Sequence, residues 1–547
     1  MEPCINFSKK LIIAIFLLAL SPGSMAQENL VYHTIKTDKD GHIIPWFNAN
    51  PGTSFDHVIN LVWNFWDTMR RDLNGIPYYM NRQVWNPYFN DPRGMGGDQL
   101  AMALSSWRLL YAYTGNVDVK ENMKFIADYY LTHGFSPANV SWPNIPYPYN
   151  TLVYSGFYDG DMILGKDFTQ PDKAGSFGIE LLRLYKMNNN EIYSNITDKM
   201  YLQAAVNIAN TLAKHIKDGD KDHSPLPFKV NAITGEVGVL ISYGKNGKVE
   251  GLSNYTTNWS GTLELFLELQ KLKTGDVRLY KSSFDKIIKW MKNYPLKTNR
   301  WGPFFEDISG WSDTQINAIT FAQFMMNHRE YFPDWKTDVK KIFNWVYEKL
   351  GNTNWEKYGV TVINEQTVYQ TPGNSHTSRQ ASAQLQYGLL TGDTSYYTQS
   401  VRQLSWATYM VNDDGRNRYP QDENWLTDGY GDYVRHYLRS MAVAPELAPD
   451  EDHVISSTSV VQQAIYKGEF YKFPSLPVKD TNNFVLRYSV YDREGEEKVR
   501  LAKRPSEVLF DGKAASGTDE TYEWKPLLKG GVLHIKRNKA SNVTILE

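Results

Sequence analysis

Hydrophobic and polar positions along the middle of the chain repeat one phrase. A polar loop rich in Gly, Asp and Ser leads into an apolar helix, and a more charged amphipathic helix follows. The pattern predicts apolar helices over 97–113, 175–187, 260–273, 314–327, 378–390 and 428–441. Their charged partners fall at 119–132, 197–216, 279–294, 335–350 and 396–411, and a helix over 55–70 opens the series. The partners carry clean helical periodicity: Val339, Ile342, Phe343, Val346, Tyr347 and Leu350 form one stripe with Lys and Asp opposite. The apolar helices are less one-sided and richer in Ala, Gly and Ser, as suits helices packed on both flanks. Several end in turn signals, among them Tyr113-Thr114-Gly115 and Leu390-Thr391-Gly392-Asp393.

Six inner helices, each paired to an outer one, describe a mainly α chain closed into an (α/α)6 toroid, or barrel. An open α-superhelix is the alternative. Polar aromatic loops before each inner helix favour closure, because in a toroid those loops converge on one end of a central cavity. Uneven spacing of the inner-helix onsets points to diverged hairpins with insertions. From Val454 the periodicity changes to alternation, as in Phe484-Val485-Leu486-Arg487-Tyr488-Ser489-Val490, with turns at Asp511-Gly512 and Gly530-Gly531. The expected order is a leader over 1–26, an N-terminal arm over 27–54, a toroid over 55–450 and a small C-terminal antiparallel β-domain over 454–547.

Composition narrows the function. The 547 residues carry 58 Lys+Arg against 60 Asp+Glu, a formal charge of −2. No global field favours nucleic acid or an anionic membrane surface, and near-neutrality leaves association into a homo-oligomer open. The stretch Lys9-Lys10, the apolar run 11–20 and the small-residue site Ser24-Met25-Ala26 read as an export signal, too short for a membrane anchor. Cys4, the single cysteine, precedes that run and would leave with it. The expected mature chain has no thiol chemistry, and a periplasmic or secreted location follows. No cofactor and no metal are expected. Asp218-Gly219-Asp220-Lys221-Asp222 begins like a calcium loop, but His223 stands where Gly is required and Lys229 where Glu is required.

Aromatics beside acids mark the loops before the inner helices, as in Trp301-Gly302-Pro303-Phe304-Phe305-Glu306-Asp307 and Asn424-Trp425-Leu426-Thr427-Asp428-Gly429-Tyr430. Flat rings stack on the apolar faces of sugars, and carboxylates bind hydroxyls. Glycoside cleavage needs two carboxyl groups. Glu306 is the first choice, since it precedes its helix, and Asp98 is its partner, although Asp98 and Asp428 also suit helix capping. Trp301, Trp425 and Tyr430 are the expected stacking surfaces, with Asp428 beside them. Arg379 and Arg93 are placed to grip a sugar carboxylate bidentately, with His376 nearby. His376 and Tyr430 would instead supply the base and proton donor of a β-elimination.

The leader, the toroid and the short β-tail resemble exported six-hairpin glycosidase-type enzymes of gut Bacteroidetes, most of all exo-acting β-glucuronidases. The chain is less similar to toroid polysaccharide lyases, which carry a much larger β-domain. The resemblance implies an exported glycoside hydrolase that removes a terminal uronic acid, β-glucuronate, from plant or host glycans. No family motif matches position by position, so it assigns no site residues. The other readings are a uronate lyase and a non-catalytic glycan-binding protein. Expression in a bacterial host with export is expected to yield a mature protein beginning at Gln27. Intact-mass measurement of the periplasmic fraction checks this.

Overall fold

The computed structural model describes residues 28–69, 75, 77, 79, 83–86, 89–91, 97–152, 155–189, 196–244, 247–305, 310–421, 429–467, 484–515 and 517–547. The leader expected over 1–26 lies outside them. Twelve helices of 12–20 residues build the toroid. The inner ring consists of α2 (Gly97–Thr114), α4 (Pro171–Asn188), α6 (Ser260–Lys271), α8 (Gln315–Asn327), α10 (Asn374–Thr391) and α12 (Tyr430–Val443). The outer ring consists of α1 (Pro51–Asp67), α3 (Val117–His133), α5 (Ile196–His215), α7 (Val277–Asn293), α9 (Trp335–Leu350) and α11 (Tyr397–Thr408). Each inner helix packs on the next, and α12 closes the ring against α2.

The small residues of the inner helices explain how six of them fit around one axis. A Cβ on Gly175 would lie 1.9 Å from Thr262 Oγ1, one on Gly261 would lie 2.6 Å from Ser176 Cα, and one on Gly431 would lie 2.6 Å from the Gln99 carbonyl oxygen. Backbones at α4–α6 and α12–α2 therefore touch where any larger residue would force them apart. Outer helices bury only one stripe; in α9, Val339, Ile342, Phe343, Val346 and Leu350 face inward.

Three helix starts lie four residues before those of the sequence pattern; one is α4, which begins at Pro171. Helix α1 begins at Pro51 because the Asn50 side chain caps it, accepting from the Thr53 N–H at 3.2 Å, with proline suited to the first turn. Helix α10 begins at Asn374, so His376 lies in its first turn and not in the loop before it. The arm from Glu28 runs over the end of α11, where Trp46 Nε1 donates to the Thr408 carbonyl at 2.9 Å and Tyr409 Oη to that of Ile44 at 2.8 Å. Among the described residues no helix is long and apolar enough to cross a membrane.

The C-terminal strands form two antiparallel sheets. They are β1 (His453–Ser457), β2 (Val461–Tyr466), β3 (Phe484–Val490), β4 (Gly495–Leu501), β5 (Glu507–Phe510), β6 (Lys513–Ala514), β7 (Thr521–Pro526), β8 (Gly531–Arg537) and β9 (Asn542–Leu546). Their orders are β1-β4-β8-β7 and β2-β3-β9-β5-β6. Phe484, Leu486, Tyr488 and Val490 are the buried positions of β3, the alternation visible in the sequence, and the last three join the shared core. This unit covers the C-terminal ends of three inner helices, where carbonyls lack helical partners. Tyr466 Oη donates to the Ala112 carbonyl at 2.7 Å, Gln462 Nε2 to that of Lys186 at 2.9 Å, and Lys498 Nζ to that of Ala442 at 2.8 Å.

Inside the β-domain, buried Arg537 holds Glu497 through two parallel bonds of 2.7 Å. Replacing one member strands the other charge in a dry core. Glu497→Gln is expected to cost about 3–5 kcal/mol in urea unfolding, and pairing it with Arg537→Met should recover most of that.

Candidate functional site

The inner helices leave an axial cavity of about 300 Å³. At its mouth stand Asp98 and Lys173 from the first turns of α2 and α4, Asn258 just before α6, and an apolar patch of Met102, Phe304 and Ile316. Deeper along the bore the lining is charged: Glu180 and Arg183 on α4, Glu264 on α6, Arg435 and Arg439 on α12. Asp98 is only 5% exposed. Asp172 braces the mouth from behind, accepting from Lys173 Nζ and Asn258 Nδ2, each at 3.3 Å, and burial pushes its carboxyl up. Lys173 also donates to the Phe304 carbonyl at 2.6 Å and lies 3.3 Å above the Phe304 ring, so it fixes the apolar patch.

The deep carboxylates are ionised and pinned. Burial works to raise Glu180, but the guanidiniums of Arg183 at 2.6 Å and Arg108 at 3.5 Å hold it below its usual range. Glu264 is likewise held low against burial, by the hydrogen bond to His328 at 2.8 Å and by Arg183.

Between α8, α10 and α12 lies a second polar cluster. His376 Nε2 is 2.8 Å from Tyr419 Oη and 3.3 Å from Glu365 Oε2. Arg379 Nη1 donates to Gln315 Oε1 at 2.6 Å and stands 3.5 Å from His376 Nδ1. Burial, with the Arg379 charge beside it, drives the His376 imidazole well below its ordinary value, so the ring is neutral. With Arg379 donating to Nδ1, the ring proton is assigned to Nε2. Asp432 gathers Arg379, Arg435 and His436 around one carboxylate. Burial would raise that acid, but the two guanidiniums hold it well below its usual range, while burial pushes His436 down to about 3.

These placements revise several sequence expectations. Trp301 is fully buried against Phe321 and Trp345 and offers no face for a sugar to stack on. Tyr430 is buried beneath Phe65 and Trp66; its hydroxyl accepts from the Asn417 N–H at 2.7 Å and donates to the Gly415 carbonyl at 3.2 Å. It is not the phenol beside His376; Tyr419 is. Arg379 is engaged by Asp432 and Gln315, so its charge is not open to a substrate carboxylate. Asp98 does line the cavity. Glu306, Trp425, Asp428 and Arg93 lie outside the described residues. The Asp218–Asp222 stretch forms a turn in which Asp220 Oδ1 accepts from the N–H groups of Asp222 and His223.

Glu180, Arg183, Glu264, Arg435 and Arg439 lie within inner helices, where the pattern of the loops does not mark them. Their signal was charge at helical spacing inside otherwise apolar segments, Glu180/Arg183 and Asp432/Arg435/Arg439. Tyr419 and Glu365 had no such signal.

No family model matches the chain, and no curated protein matches it. Solved structures do match the fold. A sugar epimerase from a ruminal bacterium aligns with a TM-score of 0.51 at 12% identity, over 72% of this chain and 98% of its own. Cellobiose 2-epimerase from Spirochaeta thermophila aligns at 0.51 and 12%, over 73% and 96%. A D-mannose isomerase aligns at 0.50 and 10%, over 73% and 99%. The chain has the (α/α)6 toroid fold. Likeness at this identity carries the architecture alone.

The two neutral histidines make stability depend on pH. Their folded values lie below 6.5, so beneath that pH the unfolded chain binds more protons. Their contribution is complete above about pH 6.5 and is lost as the pH falls towards the folded values. The unfolding free energy from urea titration is expected to fall from pH 7 to pH 5, by up to about 1.4 kcal/mol per pH unit for each histidine. His376→Gln should flatten that slope.

Proposed function

We propose that this protein is an exported carbohydrate-active enzyme that accepts a terminal uronic acid in the axial cavity and hydrolyses its glycosidic bond. The observation that carries this is the lining of the cavity. A short apolar face of Met102, Phe304 and Ile316 stands at the mouth with a carboxylate and an amide, and guanidiniums line the bore further in, the mixture a sugar ring with hydroxyls and an acid group requires. Asp98 supplies one carboxyl at the mouth. Glu306 follows Phe304 by two residues in the sequence and is the partner we assign. In hydrolysis one carboxylic acid protonates the leaving oxygen, the other carboxylate attacks the anomeric carbon or activates water there, and the product gains one water.

A second reading starts from the buried pair His376–Tyr419, 2.8 Å apart. In elimination a base removes the proton at C5 of a uronate, the C4–O bond breaks, and the leaving oxygen takes up a proton; the Tyr419 oxygen is the base here, since Arg379 occupies the Nδ1 lone pair of His376 and Nε2 carries the proton. The product is an unsaturated uronate, formed without water.

Mass spectra of products from a panel of uronic-acid oligosaccharides separate the two. Products heavier by one water, with Asp98→Asn and Glu306→Gln each lowering kcat/KM by at least about a hundredfold, support hydrolysis. Unsaturated products sensitive to His376→Ala and Tyr419→Phe support elimination. An isomerised sugar of unchanged mass, or no product from any member, overturns both.

A further inference from the structure

The deep half of the bore carries more cations than its carboxylates neutralise. Six cations, the guanidiniums of Arg108, Arg183, Arg379, Arg435 and Arg439 and the ammonium of Lys186, share four carboxylates, Glu180, Glu264, Glu268 and Asp432. Glu264 also serves His328, whose imidazole that hydrogen bond raises against the effect of burial. Glu180 holds Arg108 and Arg183, and Asp432 holds Arg379, Arg435 and His436. Arg439 is left without a hydrogen bond or an ion pair to any other described residue. Burial first, then the neighbouring Arg435, Arg108 and Arg183, pull its guanidinium down to about 9. A guanidinium stays protonated under these conditions, so what it lacks is a counter-anion. One turn back on the same face of α12, the buried Nε of Arg435 also has no acceptor.

Both side chains line the axial cavity. A buried Nε without an acceptor, beside a partly exposed guanidinium without a counter-anion, both facing one cavity, forms a receptor for negative charge. Amides complete the lining at this level: Asn327 and Gln386, bonded to each other at 2.7 Å, and Gln323. They are neutral and add hydrogen bonds to an oxygen-rich ligand without adding to the charge imbalance.

We infer that the deep end of the bore is an oxyanion site in which Arg439, with Arg435 and Arg183, binds the carboxylate, sulfate or phosphate group of a small ligand. The site rests on its own lining and not on the hydrolytic reading. If both hold, the acid group of the sugar points away from Asp98, towards the β-domain, and Arg439 takes the part expected of Arg379.

The test is calorimetric titration of the full mature chain with sodium sulfate, sodium phosphate and sodium glucuronate, at an ionic strength fixed with sodium chloride. Saturable binding near one to one is expected for at least one of the three. Arg439→Gln should weaken it by about tenfold or more, and Arg439→Lys by less, because lysine keeps the charge but loses the planar fork. Binding of glucuronate alone identifies an organic acid as the source of the anion. Binding of sulfate or phosphate identifies an ester or the inorganic ion. Arg439→Gln removes an uncompensated cation, so its thermal midpoint should equal or exceed that of the wild type. Wild-type protein that responds to all three salts only as it does to chloride overturns the inference. So does undiminished binding by a folded Arg439→Gln. Sugar cleavage plays no part in this readout, so the inference and the hydrolytic reading fail separately.

Discussion

Close contact between inner helices sets the rest of this structure. Where Gly175 meets Thr262, Gly261 meets Ser176 and Gly431 meets the backbone of α2, no side chain fits between the helices. Six helices can then pass one axis at a radius small enough to leave a bore and not a wide pore. The same narrowness places residues from all six inner helices on a single cavity of about 300 Å³. A bulkier residue at any of these three positions would displace a helix and, with it, the groups that helix contributes.

A narrow bore lined by charge needs internal compensation, since bare charges in such a place are costly. Asp432 provides much of it. By holding Arg379, Arg435 and His436 together it ties α10 to α12 and fixes the direction in which Arg435 points. Glu180 does the same between α2 and α4 through Arg108 and Arg183. The polar interior thus acts as a set of ties between neighbouring helices, and its imbalance is concentrated at Arg439. The β-domain stands at that end of the ring, over the last turns of α2, α4 and α12, and supplies donors to carbonyls that helices cannot satisfy themselves.

The mouth is organised differently. Lys173, held by Asp172 and by the Phe304 carbonyl, keeps an apolar surface in place beside Asp98. His376 lies behind it, its ring 6.1 Å from that of Phe305 and at 81° to it. A sugar entering here would meet an apolar face first and charged groups further in, an order that suits binding by the ring and selection by the acid group.

The ring of helix pairs and the alternating strands that follow are legible in the local pattern of residues. The stripe Val339 to Leu350 and the alternation Phe484 to Val490 each require burial on one face, and local periodicity records that requirement directly. The same pattern also marks Asp98 at the start of an inner helix and His376 in the loop before one. Only the tertiary structure decided which groups face the bore and which are enclosed. Trp301 and Tyr430 stand in loops and helix starts like those of Asp98, yet the packing of α1, α8 and α9 buries both. The pairing of His376 with Tyr419, and of Arg379 with Asp432, joins residues 43 and 53 positions apart. Such pairings depend on how helices turn about their axes in the closed ring. Rotation is set by contacts between distant segments, and no pattern of neighbouring residues contains it.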